Sequence, residues 1–216
     1  MLAISPWHLH FSRGAWETNV ATTLILIGTW AFLKGLKRPN YYLLSAISYT
    51  LSMYTYQSAR VTVPLLGLGL ILLFRPKRIL PSILLFFLLL LPLSLSLFSS
   101  GAASRLSGVG LLADEGPVNR AKELRGQHAD WGSPESKVFH NRPVLYTIQF
   151  LKNYTDHFFG DFLFVNGDAI QRNKVPETGL LYLTDFIFVA LGAVYLLRIQ
   201  HSALSIKLIW LWLLVA

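Results

Sequence analysis

Arg13 and Glu17 stand four residues apart in the stretch Ser5-Pro6-Trp7-His8-Leu9-His10-Phe11-Ser12-Arg13-Gly14-Ala15-Trp16-Glu17-Thr18-Asn19. Residues at that spacing share a face of a helix, so a helix beginning early brings a guanidinium and a carboxylate together. Two readings fit. One is an exposed ion pair within an interfacial belt of Trp7, Phe11 and Trp16. The other is a site in which Arg13 binds an anionic head group and Glu17 orients a partner or a metal. His8 and His10, two apart, can both ligate a divalent cation from an extended segment, yet the spacing supplies no further ligand. Two interfacial histidines remain the simpler account of them.

Arg60 interrupts an otherwise apolar run over residues 41–74. A guanidinium at membrane depth is costly and faces either a polar cavity or an anion, or else snorkels to lipid phosphate. Farther on, His140-Asn141-Arg142 precedes an amphipathic pattern, and Phe162-Leu163-Phe164-Val165-Asn166-Gly167-Asp168 follows it. His140, Asn141 and Asp168 either line a cavity, or Asn141 caps a helix and Gly167-Asp168 makes a turn. No phosphate-binding loop, dinucleotide fingerprint or Ser–His–Asp spacing is present.

The elements that must carry these residues are apolar and separated by basic connectors. Hydrophobic residues make up 53% of the 216 and charged residues only 14%, with a mean hydropathy of +0.48, which exceeds the usual balance of a soluble domain. The net charge of +8 sits in Lys34, Lys37 and Arg38, then Arg75, Lys77 and Arg78, then Arg198 and Lys207, while the remaining basic residues are matched by the acidic ones. Short connectors enriched in Lys and Arg follow the positive-inside rule. They do not form one stripe interleaved with stacking aromatics, so nucleic acid is excluded as a partner. The absence of cysteine excludes disulfides, thiolate metal sites and cysteine nucleophiles.

These patterns predict an all-α polytopic transmembrane helical bundle. It would have about five full spans, over residues 15–34, 41–58, 61–74, 79–98 and 180–197, plus a truncated sixth from 208. Residues 99–179 form a long extracytoplasmic loop containing amphipathic helices at 117–125 and from Asn141 or Arg142 to 159. The reading is of a single membrane domain over 1–216, truncated at both ends, in the cell membrane with its active face extracytoplasmic and membrane lipids around it.

The run from Ser5 to Asn19, the turn Tyr54-Thr55-Tyr56-Gln57-Ser58-Ala59-Arg60-Val61 and a loop series carry a resemblance. That series is His140-Asn141-Arg142-Pro143, Asn153-Tyr154, Phe162-Leu163-Phe164 and Gly167-Asp168, ahead of Pro176 and Gly179-Leu180-Leu181-Tyr182. Together they resemble bacterial polyprenyl-phosphate-dependent glycosyltransferases of the GT-C fold, of the protein O-mannosyltransferase and RgtA/B/C/D-like kind. The resemblance covers residues 3 to 199, and the order of the motifs carries it.

It implies transfer of a hexose-type sugar from a polyprenyl-phosphate donor to an extracytoplasmic lipid, glycan or protein acceptor. Arg13 matches the family's arginine at the start of a later membrane helix, which implies a substrate-binding role, and Glu17 falls where members often have a second acidic residue. The family's catalytic Asp lies in a first outer loop expected upstream of Met1, so the fragment alone is expected to be inactive. A divalent metal is left open. The alternative is a transporter or flippase for a lipid-linked sugar, against which stands the absence of an internal repeat or paired broken helices.

Overall fold

The computed structural model describes residues 4–14, 16–97, 115–127, 134–198 and 203–215. Every extended element among them is helical: α1 (Pro6–Arg13), α2 (Glu17–Gly35), α3 (Tyr41–Thr55), α4 (Ala59–Phe74), α5 (Leu80–Leu97), α6 (Gly116–Gly126), α7 (Pro134–Phe139), α8 (Arg142–Asp156), α9 (Asp185–Arg198) and α10 (Ala203–Val215). A π turn at Asp161–Val165 and a 3-10 turn at Gln171–Asn173 lie between α8 and α9. The chain divides into two compact units, Met1–Leu93 with Gly160–Ala216, and Ser94–Phe159.

The predicted transmembrane bundle is not what forms. Among the described residues no helix is both long and apolar enough to cross a membrane, which also overturns the multi-pass membrane localisation and its inside–outside assignment. The physical reason is local. A span needs about 20 apolar residues, whereas α2 opens on Glu17-Thr18-Asn19 and contains further threonines. α3 and α4 have 15 and 16 residues. The segment expected to span from residue 180 becomes helical only at Asp185 and runs for 14 residues, about 21 Å. The residues ahead of it are held in a loop: Leu181 N–H donates to Leu163 O at 2.8 Å, and Tyr182 N–H donates to the Asp185 carboxylate at 3.1 Å.

The basic connectors have a local explanation as well. Lys34 sits in the last turn of α2, where a cation complements the carbonyl end of the helix, and its ammonium lies 4.9 Å from the Trp30 ring centroid. Arg75 ends α4 in a left-handed conformation, φ 45°, with its N–H on Ile71 O at 2.8 Å. The loop prediction for 99–179 extends in part outside the described residues. Within it, helices stand at Gly116–Gly126 and Arg142–Asp156.

The first unit is built on the hairpin of α2 and α3. Its register is antiparallel: Gly28 faces the Tyr49 ring and Gly35 faces the Tyr42 ring. A Cβ at Gly28 would stand 2.7 Å from Tyr49 ring carbons, so only glycine admits this approach. Ser45 Oγ donates to Gly28 O at 2.8 Å, and the Thr29 and Tyr49 hydroxyls pair at 2.9 Å. Small and hydroxylated residues thus close the hairpin with their hydrogen bonds made internally. α4 packs Val63 and Leu70 into the same core, and α10 adds Leu211 over Gly69. Outward faces remain apolar, including Leu84 and Phe87 of α5 and Leu191 of α9.

In the second unit, α6 buries Pro117 and Ala121. Arg125 Nε donates to His140 O at 2.8 Å, which ties α6 to the residues that start α8. On α8, Ile148 and Leu151 remain exposed.

Candidate functional site

α1 starts at a capped N-terminus, where Ser5 Oγ accepts from His8 N–H at 3.3 Å and Pro6 occupies the first turn. It ends at Gly14, and α2 begins afresh at Glu17. The break between them overturns the expected shared face: Arg13 closes one helix and Glu17 opens the next. Both side chains are exposed, and neither has an ion-pair partner among the described residues. Nor is the segment of the two histidines extended. His8 and His10 lie on a helix, where residues two apart point in different directions. Among the described residues no three His, Asp or Glu side chains gather as a metal site would require.

What α1 does instead is receive the loop over residues 161–181. His10 Nε2 donates to Arg172 O at 2.7 Å, across 162 positions of sequence. Trp7 N–H donates to Leu180 O at 3.3 Å. The Arg172 guanidinium carbon stands 6.0 Å from the Trp16 ring centroid, at the outer edge of a cation–π contact. Trp7, Phe11 and Trp16 form a run of rings, with neighbouring centroids 5.4 and 5.9 Å apart. Arg13 is the last residue of α1, one turn beyond His10.

The loop is shaped for this contact by two glycines. Gly167 has φ +64°, and a side chain there would press on Thr178 O. At Gly179 a Cβ would stand 2.5 Å from Leu163 O, so the returning chain reaches the π turn only because it carries no side chain. Asp168 is spent on the turn: its carboxylate accepts from Ile170 N–H and from Asn173 Nδ2, each at 2.9 Å. Asp161 accepts from Asn166 Nδ2 at 2.7 Å, and Lys174 Nζ donates to Asn166 O at 3.0 Å. Asp168 therefore orders the loop that presents Arg172, as its turn reading allowed.

The other sequence candidates are placed as follows. Arg60 lies in the first turn of α4 and donates from Nε to Met53 O at 3.2 Å, near the carbonyl end of α3. His140 and Asn141 belong to the second unit. Asn141 caps α8, accepting from Val144 N–H at 2.9 Å and donating to Val138 O at 3.1 Å. Both ends of its amide are therefore engaged. Arg172 was not among the residues singled out from sequence. Its signal was the run Gln171-Arg172-Asn173-Lys174 after a Gly-Asp turn, but nothing local says that its partner is Trp16.

No protein-family model, curated protein or solved structure matches this chain.

Proposed function

We propose that this chain takes part in glycosyl transfer, holding the phosphate and sugar of a polyprenyl-phosphate donor at the junction of α1 and the 161–181 loop. The observation that carries the reading is Arg172, held by its carbonyl to His10 and set beside the Trp16 ring at the end of the Trp7–Phe11–Trp16 run. Arginine donates several hydrogen bonds in a fixed fork that matches phosphate oxygens. Aromatic rings offer flat apolar faces for the C–H side of a sugar. The outward Leu and Phe side chains of α5 and α9 support contact with the hydrocarbon of a carrier lipid.

In the reaction, an acceptor hydroxyl attacks the anomeric carbon. The carbon–oxygen bond to phosphate breaks, and polyprenyl phosphate leaves with the bonding pair. Arg13 and Arg172 stabilise the charge that grows on the departing phosphate. Glu17, exposed and without a partner among the described residues, accepts the acceptor's proton or orients the acceptor.

The test is transfer from a polyprenyl-phosphate sugar by the protein with Arg13→Ala and Arg172→Ala introduced singly. Each change is expected to lower kcat/KM by about a hundredfold, the scale on which one donor to a developing oxyanion acts. Parental turnover in both variants rejects the site. Movement of intact donor without release of polyprenyl phosphate would favour transport over transfer.

A further inference from the structure

The first unit contains a half-open pocket of about 230 Å³ between α5 and the core of α2, α3 and α4. Protein interiors are close-packed, and voids larger than a water molecule are few. This one is kept open by two features. Gly67 lines it, and a Cβ added there would meet nothing within 4 Å. Across from it α5 is fixed by a hydrogen bond from the Tyr54 hydroxyl to Leu89 O at 2.8 Å.

The lining selects against charge, because it includes no Asp, Glu, Lys or Arg. It also favours apolar surface, since most of the wall is aliphatic or aromatic. Of its hydroxyls, Ser45 and Tyr49 are already hydrogen-bonded to the protein. Tyr42, 3% exposed, and Ser82, 6% exposed, also line it. Among the described residues the side-chain hydroxyls of these two have no hydrogen-bond partner. A buried hydroxyl without a partner is costly, and a ligand that supplies one relieves that cost.

We propose that this cavity binds a small, neutral, largely apolar molecule carrying one hydrogen-bonding group, which pairs with Tyr42 or Ser82. An apolar cavity of about 150 Å³ holds a benzene ring, so by proportion this one takes roughly nine or ten heavy atoms. The inference rests on the cavity and is independent of the sugar-transfer reading.

Calorimetric titration of the full chain with 4-propylphenol and with propylbenzene tests it. Both are expected to bind one to one. Gly67→Leu fills the cavity from α4 and is expected to weaken both by about tenfold or more, through loss of the apolar volume they occupy. Should that variant not fold, Ile83→Phe fills the cavity from α5 with the same expected result. The double variant Tyr42→Phe with Ser82→Ala should weaken 4-propylphenol about fivefold, the scale of one hydrogen bond, while propylbenzene is unchanged. Absence of binding to the parent chain, or parental affinity in a folded cavity-filled variant, overturns the proposal. Equal weakening of both probes by the hydroxyl-removing variant overturns the pairing with Tyr42 or Ser82.

Discussion

At the scale of single residues, Tyr49 shows how the α2–α3 hairpin constrains its own chemistry. Burial pushes its hydroxyl from the ordinary value of 10 up to about 12, with the Thr29 hydrogen bond pulling slightly the other way. The folded chain thus holds the neutral phenol more tightly than the unfolded chain does. That stability is fully present below pH 10 and is lost as pH rises through about 12, at a cost of about 3 kcal/mol at most. Urea unfolding at rising pH should show the loss, and Tyr49→Phe should remove that part of the dependence. An identical alkaline slope in parent and variant would mean that Tyr49 ionises as freely in the fold as outside it. Legibility at this scale was uneven. Asn141 as a cap and Gly167-Asp168 as a turn were readable because caps and turns are local. Arg172 was not, because its role depends on His10 and Trp16, brought to it by tertiary folding.

Among the elements, the glycines of α2 and α4 behave in opposite ways for a visible reason. Gly28 touches Tyr49, so Gly28→Ala forces the hairpin apart and should destabilise by about 1–3 kcal/mol. Gly67 faces open space, so Gly67→Ala gains helix propensity without a clash and should stabilise by up to about 1 kcal/mol. Thermal melting of the two variants distinguishes these outcomes, and shifts of the same sign would contradict the packing described. Helix positions were largely legible: predicted breaks near residues 37–40, 57–60 and 75–78 fall where α2, α3 and α4 end. Arg13 and Glu17 share no helix face, because Gly14 ends α1 before the pattern reaches Glu17. Residues 180–184 were misread because Leu181 and Tyr182 use their backbone groups to anchor a loop. Apolar composition alone cannot reveal that competition.

For the whole molecule, the apolar content that suggested membrane spans is distributed over helices of which, among the described residues, none is long and apolar enough to cross one. The sorting of basic residues, which suggested sidedness, places Lys34 at the carbonyl end of α2 and Arg75 just past that of α4. The proposed function therefore rests on the α1–loop junction and not on topology. Its central claim is that Arg172, set beside Trp16, recognises a phosphate. Equilibrium binding of polyprenyl phosphate and of the uncharged polyprenol, compared in the parent chain and in Arg172→Ala, tests this most directly. The parent should prefer the phosphate by about tenfold or more, as a charge-assisted pair allows, and the variant should lose most of that preference. Equal affinity of the parent for both lipids, or an undiminished preference in the variant, would contradict it.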